Sequence, residues 1–320
     1  MKIKIMAITI LTALCICLCS CAKLEKSNQT TLALDTLVSV TCYGEGSDRA
    51  AKAAIDEIKR IEAIFSPYIE TSEIYKINHS AHFSPVEVSD EVMSVLKKAL
   101  EVCKLTDGAF DITIKPLVDL WNIKAENPTV PSDESIAQAK SKVGWTKVEL
   151  SDSTVSLGAD GMMLDLGAAA KGYAADCAVK VLREHGIKNA ILDLGGNVYA
   201  MGRSEKGSPW RIGLQDPAGK RGEYFKAEEL SDLSCVTSGS YERYFESGGK
   251  IYHHIINPKT GYCADSGLIS VSVIAKSSFE ADMLSTAIFV MGADEFEKIR
   301  DNFDIVKYIT VDKSNNPKVY

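Results

Sequence analysis

The stretch Asp165-Leu-Gly-Ala-Ala-Ala-Lys171-Gly-Tyr-Ala-Ala-Asp176 limits what this chain can fold into more than any other. The apolar run Met162-Met163-Leu164 leads into it, and a helical pattern from Tyr173 to His185 leads out, stopping at Gly186. It therefore reads as a strand that breaks sharply and launches a helix. Small residues from Gly167 to Ala170 let another group approach the backbone closely. The free N–H groups of a helix start attract anions, phosphate above all, and Lys171 adds a positive charge. A tight turn packed under its own helix accounts for the same residues. The glycine spacings of a P-loop or a dinucleotide fingerprint are absent.

The N-terminus is read as a targeting segment. Lys2 and Lys4 precede an apolar run from Ile5 to Leu18, too short to span a bilayer comfortably. Leu18-Cys-Ser-Cys21 then has the form of a bacterial lipoprotein signal. On this reading residues 1–20 are removed, Cys21 carries lipid, and residues 21–30 tether a catalytic domain spanning 31–320. Cys42, Cys103, Cys177, Cys235 and Cys263 remain, an odd number without C-x-x-C, which argues against a disulfide framework or a zinc site. The formal charge is −7, and loss of Lys2 and Lys4 makes it −9, with 34 basic against 43 acidic residues. With no basic run, nucleic acid is not an expected partner.

Along the chain, 32–43 alternates like one strand, and helical periodicity covers 48–65 and 89–105, with Ser89 as N-cap. Thr71 opens a loop segment, and 109–113 is a short turn or strand. A third helix covers 132–142. Short strand patterns at 147–150, 154–157 and 162–166, separated by turn residues, form a meander. Strands follow at 190–194, 210–215, 250–256, 269–275 and 305–311, with helices at 277–291 and 294–300. This order predicts a mixed α/β (α+β) fold with antiparallel parts rather than a βαβ series.

Two places carry candidate chemistry. Asp282 and Thr286 stand one turn apart on the helix 277–291, so both can reach one hard cation such as magnesium. A pair like this also occurs on solvated faces, but the helix is apolar all round, so the two need polar partners. His253 and His254 precede the turn Asn257-Pro-Lys-Thr-Gly261, and either is a packed histidine, a general base or a phosphate ligand. No G-x-S-x-G, H-E-x-x-H or Cys–His signature is present.

Seven short motifs in order make a resemblance specific. They are Ala109-Phe-Asp111, Asp165 to Ala174, Leu194-Gly-Gly-Asn197, Gln215-Asp-Pro217, Thr237-Ser-Gly239, His254-Ile-Ile-Asn-Pro-Lys-Thr-Gly261 and Ala281-Asp-Met-Leu-Ser-Thr286. Over residues 31–311 the chain resembles the flavin transferase family often called ApbE, the FAD:protein FMN transferases, many of them lipoproteins. It departs from the family at Leu34-Asp-Thr36, Gly167-Ala-Ala169 and Asn257, where Met-Gly-Thr, Gly-Gly-Ile or Gly-Ala-Ile, and Asp are common.

The resemblance implies a single domain with an FAD cleft between two lobes. It implies magnesium held by the Ala168 carbonyl, the Asp282 carboxylate and the Thr286 hydroxyl. Tyr68, Ala109, Phe110, Asp111, Asp165 and Lys171 would line the FAD site, and His254 would activate the acceptor hydroxyl. The implied reaction transfers FMN from FAD to a Thr or Ser of a partner protein and releases AMP. FAD hydrolysis to FMN and AMP, and a non-catalytic flavin-binding lipoprotein, are the competing readings. The expected acceptors are redox subunits of ion-pumping NADH:quinone reductase or Rnf-type complexes, met outside the cytoplasm by an enzyme lipid-anchored to the bacterial membrane.

Overall fold

The computed structural model describes residues 25–320 except Arg221, so the signal segment and Cys21 lie outside the described residues. The chain opens with β1 (Lys26–Ala33), β2 (Thr36–Tyr43) and the helices α1 (Ser47–Phe65) and α2 (Glu73–Ser80). Then come β3 (Val86–Glu87), α3 (Asp90–Leu105), α4 (Lys115–Trp121) and α5 (Asp133–Ser141). The middle holds β4 (Val148–Ser151), β5 (Thr154–Leu157), α6 (Ala170–Glu184), β6 (Asn189–Leu194) and β7 (Asn197–Met201). Four strands, β8 (Trp210–Gln215), β9 (Tyr224–Leu230), β10 (Leu233–Gly239) and β11 (Tyr244–Ser247), lead to β12 (Lys250–His253) and β13 (Leu268–Ala275). The chain finishes with α7 (Ser278–Met291), α8 (Ala293–Glu297), β14 (Ile305–Asp312) and β15 (Pro317–Val319).

An eight-stranded sheet, ordered β1-β2-β6-β7-β10-β13-β14-β15, is antiparallel throughout. Helices α1, α6 and α7 pack together, with α1 against β1 and β2 and α7 against β10 and β13. The main core lies between them, with Val38, Val40, Ile58, Ile61, Ala174, Ala178, Val271 and Leu284 fully buried. Each large aliphatic side chain so buried contributes on the order of 1.5–3 kcal/mol. The hairpin β8–β9 covers a second apolar cluster around Ile212, Leu214, Ile274 and Ile309. A third cluster, Leu117, Trp121, Ile136, Val143 and Ile256, joins α4 and α5 to the segment after β12, where Trp121 Nε1 donates to the Gly261 carbonyl at 2.8 Å.

The mixed α/β architecture agrees with the sequence reading, and several local readings are corrected. Residues 32–43 form two strands of a hairpin, because Leu34 and Asp35 adopt left-handed φ of 51° and 60° and turn the chain in two residues. β1 starts at Lys26, so residues 26–30, half of the stretch read as tether, are sheet. The loop segment at Thr71 contains α2, capped by Ser72 Oγ accepting from Tyr75 N at 2.9 Å. Residues 162–166 are no strand. An isolated parallel bridge, Ile114 to Met163, an Asp165 N to Ile112 O bond of 2.7 Å and the Asn78 side chain, which donates to Leu164 O at 2.9 Å and accepts from Leu164 N at 2.6 Å, hold them instead. Helix α4 lies where no element was read; Pro116 in its first turn suits a helix start.

Candidate functional site

The glycine at 172 fixes the geometry. A Cβ on Gly172 would stand 2.3 Å from the Ser278 carbonyl oxygen and 2.7 Å from Phe279 Cα. Only glycine lets α6 and the start of α7 cross so closely. Gly172 N–H lies in the first turn of α6, where a helix leaves its donors open. It donates to Asp282 Oδ2 at 2.9 Å, and Ala168 O, ahead of the helix, accepts no backbone hydrogen bond among the described residues. Asp282 is only 3% exposed, and this bond supplies the partner that a buried carboxylate requires.

The other end of the same motif pins α7. Asp176 accepts from Ser277 Oγ at 2.9 Å, Ser278 N at 2.9 Å and Phe279 N at 3.1 Å. A carboxylate there satisfies the open donors of a helix start and suits its dipole. Burial pushes the Asp176 carboxyl above its usual range, and the three donors oppose that shift. Asn197 Oδ1 accepts from Ser278 Oγ at 2.6 Å, and Ser234 Oγ donates to the same hydroxyl at 2.8 Å. Farther along α7, Ser238 Oγ lies 3.3 Å from Thr286 Oγ1 and 2.8 Å from Ser285 Oγ. Four of the sequence motifs thus meet around one helix.

The donors that this leaves are hard oxygens. Asp282 Oδ1 faces Lys171 Nζ at 3.6 Å, and Lys171 Nζ also donates to Gly167 O at 2.9 Å. A lysine ammonium against this carboxylate shows that the pocket accepts positive charge. A free carbonyl, a carboxylate and a hydroxyl fit a magnesium-type cation. Among the described residues no three His, Cys, Asp or Glu gather, as a zinc-type site would require.

A belt of charge surrounds these donors. Lys115 is buried, pairs with Asp119, and holds its ammonium 4.6 Å from the centre of the Tyr68 ring, which is 70% exposed. Lys115 and Lys124 both act on Asp165, whose carboxyl burial raises and the Gly167 N–H bond lowers, with a net upward shift. Lys124 and Arg243 meet the Asp35 carboxylate at the tip of the β1–β2 hairpin. Burial and then the Arg243 charge push the His254 imidazole down to about 3. Its Nδ1 lies 3.3 Å from the Arg243 carbonyl, which can only accept, so Nδ1 carries the proton and the Nε2 lone pair is free. The imidazole should therefore stay neutral as pH falls well below 6.5, while the unfolded chain takes up a proton, so this residue destabilises the fold toward acid. An NMR titration of the imidazole should show no protonation above pH 5; a midpoint near 6.5 would contradict this environment.

The candidates do not all converge. Lys171 stands against Asp282, Thr286 follows one turn on along α7, and Ala168 lies just ahead of α6, with Asp165 and His254 beside the charge belt. Asp111 points into the protein: Thr113 N, Thr113 Oγ1 and Trp145 N donate to it at 2.8, 2.6 and 3.1 Å. Phe110 is also buried, and Ala109 borders a cavity of about 420 Å³ with Thr106, Asn257, Lys259, Val290 and Met291. Val290 follows Asp282 and Thr286 at i+8 and i+4, so this cavity continues the same side of α7. His253 is a packed residue, with Nε2 3.1 Å from the Ala264 carbonyl and its ring edge-on to Phe289. Lys115, Lys124 and Arg243 do not stand out in the sequence, since they lie in or beside loops where no periodicity marks them; Ser238 belongs to the motif Thr237-Ser-Gly239.

Comparison with known proteins accords with this architecture. The ApbE family profile matches residues 34–309. The FAD:protein FMN transferase of Treponema pallidum is 34% identical over 293 residues, covering 86% of this chain and 81% of that one. One from Klebsiella pneumoniae is 38% identical over 240 residues, 74% of each chain. The crystal structure of the ApbE protein of Thermotoga maritima superposes with a TM-score of 0.84 at 35% identity, covering 92% of this chain and 96% of that one. The flavin transferase ApbE of Vibrio cholerae gives 0.82 at 28% identity, covering 93% and 97%. With the profile spanning most of its length and the fold shared over 92% of it, this chain belongs to the ApbE family.

Proposed function

We propose that the chain is an FAD:protein FMN transferase, moving FMN from FAD to a Thr or Ser hydroxyl of a redox protein. The observation that carries this reading is the Gly172 N–H bond to Asp282, which brings the start of α6, just after the open Ala168 carbonyl, to the helix that carries the Asp282 carboxylate and the Thr286 hydroxyl. These three would hold magnesium, which when bound neutralises diphosphate charge and polarises the phosphoryl oxygens. The cations Lys171, Lys124, Arg243 and Lys115 make the cleft attractive to the FAD diphosphate. The Tyr68 face and the cavity beside Ala109 offer surfaces to flat rings.

The acceptor oxygen attacks the FMN-side phosphorus. A new O–P bond forms, the bond from that phosphorus to the bridging oxygen breaks, and AMP leaves with that oxygen. The neutral His254 accepts the hydroxyl proton at Nε2; burial first and the Arg243 charge second make it a weak base, and the incoming diphosphate offsets the Arg243 part. Lys171 and Arg243 steady the departing phosphate. Positioning and electrostatics carry most of the rate, as in other phosphoryl transfers.

We further infer that Cys21 anchors the enzyme outside the cytoplasm, so that its acceptors are exported or membrane-bound, such as subunits of ion-pumping NADH:quinone reductase or Rnf-type complexes. The basic start, apolar run and Leu18 to Cys21 support this. Among the described residues no helix is long and apolar enough to cross a membrane. The test is incubation with FAD, magnesium and such a subunit, followed by intact-mass analysis. The acceptor should gain one FMN with equimolar AMP, and a Thr→Val change at its target should stop labelling. AMP without labelled acceptor would favour hydrolysis, and FAD recovered unchanged would favour a flavin-binding protein.

A further inference from the structure

At the mouth of the cleft three charged groups from distant parts of the chain converge. Asp35 sits at the tip of the β1–β2 hairpin, Lys124 just after α4, and Arg243 just before β11. Asp35 Oδ2 meets Lys124 Nζ and lies 3.2 Å from Arg243 Nη1. The Arg243 Nη2 donates to the Asp35 carbonyl at 2.9 Å across 208 residues of sequence. One prong of the guanidinium thus faces the carboxylate and the other holds the backbone of the same residue.

The backbone that carries this carboxylate is fixed by the hairpin turn. Leu34 and Asp35 both have positive φ, a region costly for residues with a Cβ. The tip is separately tied down, since Leu34 N donates to Glu62 Oε1 at 2.8 Å. The carboxylate can therefore swing away while the hairpin stays in place. The Lys124 ammonium is held down by burial and by the neighbouring Arg243 and Lys171 charges, with the Asp165 carboxylate opposing them. Two cations converging on one displaceable oxyanion make a seat for another.

We propose that Lys124 and Arg243 form a phosphate subsite at the cleft mouth, filled by the Asp35 carboxylate until a nucleotide phosphate takes its place. The inference rests on the transferase reading for its ligand, which is either the FAD diphosphate or the phosphate of departing AMP. Both share the chemistry of a phosphate oxyanion, and a carboxylate imitates it with fewer oxygens. Asp35 then acts as an internal competitor, shielding the two cations from other anions when no nucleotide is present.

Calorimetric titration of the purified protein without magnesium tests this, with inorganic pyrophosphate, AMP and adenosine as probes. Asp35→Asn removes the charge but keeps a side chain at ease with positive φ. It should bind pyrophosphate roughly tenfold tighter than the wild type, since one competing anion is gone. Arg243→Gln and Lys124→Gln, on opposite sides of the seat, should each weaken pyrophosphate, and adenosine should not respond. An equal gain for AMP in Asp35→Asn identifies the leaving nucleotide as a second occupant; a gain for pyrophosphate alone assigns the subsite to the FAD diphosphate. Equal pyrophosphate affinity in wild type and Asp35→Asn would overturn the proposal, as would wild-type affinity in both Gln variants. FMN labelling of an acceptor subunit from FAD and magnesium, read by intact mass with the same protein samples, reports on the transferase reading separately. That reading fails if the wild type labels none.

Discussion

Asp282→Asn should reduce magnesium-dependent AMP release from FAD by roughly 10²–10³-fold, the loss typical when one preorganised charge partner is removed from a reacting centre. The amide oxygen can still accept from Gly172 N, which lies 2.9 Å from the carboxylate now. The substitution therefore removes charge while leaving the helix crossing intact. Thermal unfolding should shift by only a few degrees, because no packed apolar group is lost. The rate should be read against magnesium concentration. If Asp282→Asn keeps both the wild-type rate and its magnesium dependence, the metal reading of Ala168, Asp282 and Thr286 is wrong.

Gly172→Ala should have the largest effect on stability of any single methyl added to this chain's helices. The new Cβ meets backbone, with Ser278 O at 2.3 Å and Phe279 Cα at 2.7 Å, so no side chain can rotate out of its way. Overpacking of this kind costs roughly 3 kcal/mol or more. For a domain of this size each kcal/mol lowers Tm by roughly 2–4 °C. The helices must part, and Asp282 then moves away from Gly172 N and from the oxygens around it. Calorimetry should show a fall of roughly 6–12 °C, and AMP release should fall with it. An unchanged Tm would mean that α6 and α7 do not cross as described.

Much of this was legible in sequence where local chemistry and global fold agree. Helices α1, α3 and α7 follow from periodicity and caps, as at Ser89, whose Oγ accepts from Val92 N at 3.3 Å. The stretch 165–176 is recognisable because its small residues serve the helix crossing as well as the site. Asp282 and Thr286 are readable because a helix apolar on every side leaves its polar residues unexplained. The β1–β2 turn was missed because Leu34-Asp35 lacks the Asn-Gly chemistry that usually marks two-residue turns. Asp111 illustrates a different limit: Asp-x-Thr is itself a turn signal, and its carboxylate is satisfied by Thr113 two residues on. Lys115, Lys124 and Arg243 gain meaning only from tertiary contact, since nothing near them in sequence shows that they share a cleft.

The β1–β2 hairpin also sets a working height. β1 runs as a single eight-residue strand from Lys26 to Ala33, and its far end carries the Asp35 tip over the cleft. At roughly 3.3 Å per residue that strand holds the cleft mouth roughly 26 Å from the point where the chain enters the domain. With Cys21 fixed in a bilayer, as proposed, residues 21–25 extend that by no more than roughly 17 Å. Upright on this leash, the enzyme presents its cleft well clear of the lipid headgroups. An acceptor hydroxyl lying flat on the membrane would then be out of reach unless the domain lay down beside it. One carried on an outward-projecting loop or domain would meet the cleft directly.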